Sequence, residues 1–67
     1  MNTTYPQFLV IHDTSRPVRI VSERSVPEGA TQSGSWEPFL DVDALLEDAD
    51  YIDESDFDAA IAKWKGA

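Results

Sequence analysis

A chain of 67 residues has room for one core and one domain, because so short a polypeptide buries only about 60% of its unfolded surface. With no cysteine it excludes disulfide staples, thiolate metal sites and a cysteine nucleophile, and an intracellular, cytoplasmic setting is expected. Thirteen acids against five bases give a formal charge of −8, which opposes direct binding to nucleic-acid phosphates or anionic lipid and favours a basic partner; the same charge also keeps a small protein soluble.

The longest apolar run near the N-terminus, Phe8 to Ile11, is four residues, and no basic region precedes it, so neither a signal peptide nor a membrane span is expected. Pro6 disfavours helix at Tyr5, and Phe8-Leu9-Val10-Ile11 is aromatic and aliphatic, which predicts a strand from about Gln7 to His12. Asp13-Thr14-Ser15 supplies a turn, and Val18 to Ser22 alternates as a second strand, so a β-hairpin is expected over about 7–22. The first strand is apolar on both faces, Phe8 and Val10 on one and Leu9 and Ile11 on the other, whereas a sheet with one wet face alternates. A cover is therefore required: the loop carrying Trp36, a third strand near Trp36 to Phe39, or a second copy in a homodimer.

Residues 23–36, with scattered Gly, Ser and Pro, read as a loop, and an acidic helical part follows over about 37–66. Val42, Leu45, Leu46 and Ala49 recur at the spacing of one helical face, Asp41 is placed to cap the helix, and Asp43, Glu47 and Asp48 project away from the apolar stripe. A second helix is expected from Ser55, where Ser-x-x-Asp resembles a capping box. Phe57, Ala60, Ile61 and Trp64 form its buried stripe, Lys63 and Lys65 complement its dipole, and Gly66 stops it. Asp50 to Glu54 is short enough to predict an αα-hairpin or corner, anchored by Tyr51 and Ile52. The expected fold is α+β, a β-hairpin or small three-stranded antiparallel sheet packed against two short C-terminal helices.

No catalytic residues are expected. His12, Asp13 and Ser15 are the residue types of a nucleophilic triad, but three residues within one tight turn do not place a base between nucleophile and orienter. A lone His without Cys makes no zinc set, and in the Asp48-x-Asp50-x-x-Asp53 run Ile52 and Asp53 stand where a calcium loop needs its third oxygen ligand and its glycine. No metal site follows, and no cofactor, because Gly29, Gly34 and Gly66 are too scattered for a phosphate-binding loop. Arg16, Arg19 and Arg24 amount to a small basic patch at most.

Ten of the thirteen acids lie between Glu37 and Asp58, a stretch of 22 residues without Lys or Arg. That stretch is the candidate partner-binding surface. Asp43, Glu47, Asp48, Asp50, Asp53 and Glu54 are its charges, and Trp36, Phe39 and Tyr51 are its anchors, aromatics outside the helical stripes of the kind that dominate interface energy. As one helix the 22 residues would span at most about 33 Å, over which duplex DNA carries roughly twenty charges, so ten carboxylates make a partial nucleic-acid mimic. In size and charge, though in no motif, the chain resembles phage-encoded inhibitors of host nucleic-acid enzymes and defence systems, for which the host cytoplasm is the expected location. The expected function is a non-enzymatic protein-protein interaction module, a small acidic inhibitor or regulator of a basic protein. The alternative is a structural or assembly subunit that self-associates through its apolar strand.

Overall fold

The apolar strand β1 (Gln7–Ile11) forms where its residues predict it, but it is an interior strand. The computed structural model describes residues 4–66. After β1 come β2 (Arg16–Ile20), β3 (Glu28–Ala30), β4 (Trp36–Pro38), α1 (Val42–Glu47), β5 (Ala49–Ile52) and α2 (Glu54–Lys65), a small α+β fold. The expected sheet of two or three strands is corrected to five, in the order β4-β3-β2-β1-β5 with every neighbouring pair antiparallel. Phe8 faces Arg19 and Ile52 across the sheet, and Leu9 faces Val18 and Tyr51.

Two further expectations are corrected. The segment read as a loop over 23–36 contains β3, which has no β-branched or aromatic residue to announce it. Glu28-Gly29-Ala30 pairs because Arg19 Nε donates to Glu28 Oε1 at 3.0 Å and Arg16 Nε donates to the Ala30 carbonyl at 3.0 Å, its guanidinium lying where a side chain on Gly29 would stand. The β3–β4 turn closes on Thr31, whose hydroxyl accepts from the Ser35 amide at 3.1 Å, with Gly34 at φ +95°, a conformation that favours glycine. The expected αα-hairpin is also replaced. A strand, β5, separates the helices, because the open edge of β1 takes a partner and helix α1 has already ended at Asp48. Asp53, rather than Ser55, caps α2, its Oδ1 accepting from the Asp56 amide at 2.9 Å.

Side-chain alternation puts Leu9, Ile11 and Val18 on one face of the sheet and Phe8 and Val10 on the other. The first face carries the densest packing. Leu9 and Val18 are fully buried, and Phe39, Ala44 and Leu45 close over them. The second face takes α2, whose Phe57 is buried with its ring 4.6 Å from Phe8 and 5.9 Å from Trp36. The α2 stripe therefore faces inward as predicted. The α1 stripe divides: Leu45 and Ala44 pack inward, whereas Val42 and Leu46 are exposed and Ala49 reaches the core from β5.

Four inter-strand steps of about 4.8 Å set the sheet edges roughly 19 Å apart. Residues 39–48 connect β4 to β5 by eleven Cα steps, which with six residues helical reach at most roughly 28 Å. The connection is long enough to cross the face with α1 taking six of its residues. The two inward-facing helical positions thus differ sharply from the outward ones. Leu45→Ala is expected to lower the unfolding free energy by about 2 kcal/mol, since Leu45 packs on the core, and Leu46→Ala by less than about 0.5 kcal/mol. Equal losses in urea denaturation would overturn the division of the α1 stripe.

Candidate functional site

Helix α1 is too short to be stable alone and is held by its ends. Asp41 Oδ1 accepts from the Ala44 amide at 3.1 Å, and the Asp48 amide donates to the Ala44 carbonyl at 2.9 Å. Asp48 also binds the β1–β2 turn: its carbonyl accepts from the His12 amide at 2.7 Å, and its Oδ2 accepts from the Asp13 amide at 3.2 Å. These bonds place the turn against α1 and leave an open cleft of about 780 Å³ between them. Asp13, Asp41, Asp43, Glu47 and Asp48 all line it, with Arg16, Phe39 and Leu40.

Arg16 is the cation in that wall, and it is already engaged. Its guanidinium pairs with Glu37, donates to the Ala30 carbonyl and lies 5.5 Å from the centre of the Phe39 ring. Among the described residues the other ion pairs are Arg19–Glu28 and His12–Asp50. The small basic patch considered for Arg16, Arg19 and Arg24 is corrected, because Arg16 and Arg19 are three residues apart in β2 and so serve opposite faces. Arg19 lies 4.0 Å over the Trp36 ring.

Several of the clustered acids have a local role. Asp41 and Asp53 cap helices, Glu54 and Asp56 lie in the first turn of α2, where a carboxylate complements the dipole, and Asp48 holds the turn. Glu47 is different. It ends α1, whose last turn has no basic residue, so its charge opposes the helix dipole and has no ion-pair partner among the described residues. Asp43, four residues earlier and thus on the same side, complements the dipole from the first turn of α1 but likewise has no ion-pair partner among the described residues.

Of the nine residues expected to bind a partner, Asp43, Glu47, Asp48 and Phe39 meet at the cleft. Asp50 is not among them: it faces the other side of the sheet opposite Val10, paired with His12, while Asp53 caps α2 and Glu54 begins it. Phe39 packs on the core, Trp36 stacks on Phe57 on the opposite face, and Tyr51 is 63% exposed on the α1 side of the sheet. Leu40, Val42 and Leu46, all exposed beside the cleft acids, were not anticipated. The available signal was an apolar stripe with more members than a short helix can bury.

His12 Nε2 lies 2.8 Å from Asp50 Oδ2 with its side chain 54% exposed. The hydrogen bond and the charge of Asp50 raise its pKa above 6.5, the Asp48 charge adds to this, and partial desolvation opposes it. His12 does not line the cleft, and among the described residues no group of three or more His, Asp or Glu is placed to hold a metal ion. No helix among them is long and apolar enough to cross a membrane.

No protein-family model, curated protein or solved structure matches the chain, so the functional reading rests on the chemistry of this surface. The His12–Asp50 contact is checked directly by titration. Protonated His12 favours the fold, and because its folded pKa is raised, that contribution is full below about pH 6.5 and is lost as pH rises through the folded-state value. By NMR the His12 midpoint is expected above 6.5, and Asp50→Asn is expected to lower it; a midpoint unmoved by Asp50→Asn would remove the contact.

Proposed function

We propose that this protein is a non-enzymatic interaction module, a small acidic inhibitor or regulator that binds a basic protein surface through the α1 side of its cleft. The observation that carries this reading is the placement of Glu47. A carboxylate at the end of α1 opposes the helix dipole and has no cation beside it among the described residues, yet it lines the same cleft as Asp43, Asp13, Asp41 and Asp48. Charges clustered without an internal partner repel one another, and an external cationic surface relieves that repulsion. Such a field also steers a basic partner toward the site and makes the affinity depend on salt.

Imitation of nucleic acid is the special case in which the basic surface is itself a nucleic-acid groove, and a phage-type inhibitor is one biological form of it. A cytoplasmic location fits the cysteine-free composition. The self-association alternative drew on the two apolar faces of β1. Leu9 and Ile11 are buried by the chain itself and Phe8 packs on Phe57, so that feature has an internal account and lends self-association no support.

Asp48 and Asp50 hold structural contacts, which leaves Asp43→Asn with Glu47→Gln as the informative substitution. Removing the unfavourable Glu47 charge is expected to stabilise α1 slightly, by about 0.3–1 kcal/mol at low salt. The wild-type chain, used for capture from its native cell at about 0.05 M and about 0.5 M salt, is expected to retain a basic protein at the lower concentration. With that protein purified, the double variant is expected to bind at least about tenfold more weakly. Undiminished binding by a folded double variant would reject the charge-based reading.

A further inference from the structure

We infer that Leu40, Val42 and Leu46 are the anchors of this surface and that the partner element is a basic amphipathic helix, with an apolar stripe flanked by Lys or Arg. The inference rests on the reading of the α1 face as a site for a basic partner, and it adds what the partner carries besides charge.

Leu40, Val42 and Leu46 are 77%, 60% and 78% exposed. Single exposed leucines are ordinary on a protein surface, but these three fall within seven consecutive residues, and Val42 and Leu46 share one side of α1. Val42 and Leu46 are four apart on α1, so their Cβ atoms are neighbours about 6 Å apart. Leu40 stands in the turn that leads into the helix, its carbonyl accepting from the Val42 amide at 3.0 Å, and it lines the cleft with Asp43 and Glu47. Inward packing does not account for them, since α1 contributes Ala44 and Leu45 to the core. Helix formation does not require them either, since Lys, Gln or Glu would serve on an exposed turn.

Charge decides what covers the row. Asp43 and Glu47 each follow an apolar residue by one position, so on α1 they form a second row about 100° round the helix from Val42 and Leu46. A second copy docked about a two-fold axis would set these acids against themselves, in a chain of net charge −8. A membrane with anionic headgroups is opposed by the same sign. A helix with leucine-like residues three and four apart matches the Val42–Leu46 spacing, and Lys or Arg beside that stripe meets Asp43 and Glu47. The acids then govern encounter and salt dependence, and the apolar row supplies contacts that persist in salt.

The test uses the whole chain and two fluorescently labelled synthetic peptides of about 18 residues, long enough for five helical turns. Both contain only Leu and Lys in the same proportions. One places its leucines on a single helical face and the other scrambles them, and both are used at concentrations where they are monomeric. Anisotropy at low and high salt is expected to show at least about tenfold tighter binding of the patterned peptide to the wild-type chain. Leu40→Ser with Leu46→Ser, which keeps every charge, is expected to abolish that preference at both salt concentrations while leaving circular dichroism and the urea midpoint unchanged. Asp43→Asn with Glu47→Gln is expected to weaken both peptides at low salt.

If the serine variant keeps the preference while the amide variant weakens binding, the apolar anchor is wrong and the charge-based reading stands. If the amide variant binds both peptides as well as the wild type does, the charge-based reading fails. A dimer seen in sedimentation and abolished by the serine pair would make a second copy the occupant and overturn the inference.

Discussion

The constraint on which this fold depends is that β1 is apolar on both faces in a chain too small to build two separate layers around it. Leu9 and Ile11 demand cover on one side, and Phe8 and Val10 on the other. A single helix covers one face, and α2 does so with Phe57 between Phe8 and Trp36. The other face is closed by a connection that must exist anyway, the passage from β4 at one edge of the sheet to β5 at the opposite edge. Phe39, Ala44 and Leu45 turn that passage into a lid. It must cross the width of the sheet, and α1 takes only six of its residues.

The surface chemistry follows from that limit. A helix of six residues presents few inward positions, and the remaining side chains, apolar or acidic, are forced outward together. The bases near the sheet are occupied in joining strands: Arg16 bridges β2 to β3 and Glu37, and Arg19 bridges β2 to β3 through Glu28 while covering Trp36. These contacts make the five-stranded sheet possible with a three-residue strand at its centre-left position, but they leave the α1 side without a free cation from β2. The acids from Asp41 to Asp48 thus make a local field on the α1 side, with Asp48 fastening the β1–β2 turn into the same surface.

The sequence makes some of this legible and conceals the rest for identifiable reasons. The β1–β2 hairpin, the Asp41 cap and the inward stripe of α2 were readable because each has its own local signal: alternation, a capping side chain, or four apolar residues at helical spacing; the strand at Trp36 was one of three possible covers for β1. β3 was hidden because Glu28-Gly29-Ala30 owes its pairing to Arg16 and Arg19, residues at least nine positions away. β5 was hidden because Ala49 packs toward the core in either conformation. As the last position of a helical stripe or as a strand residue opposite Ile11, it faces the same core, so periodicity alone could not choose. The acids of the candidate site were legible as a cluster, but their separation was not, since it depends on β5 standing between the helices.

That separation changes what the acidic stretch can present. α1 and α2 pack against opposite faces of the sheet, so the acids of Asp41 to Asp48 and those of Asp53 to Asp58 are distributed to two sides of the fold. A continuous row of ten charges would attract any extended cationic groove and discriminate little among them. A short acidic rim broken by Leu40, Val42 and Leu46 behaves differently, because desolvating those side chains rewards only a partner that is apolar in the matching place. On the proposed reading, long-range attraction would bring basic proteins to the surface and the apolar residues would select among them, so that selectivity would come from the residues between the charges.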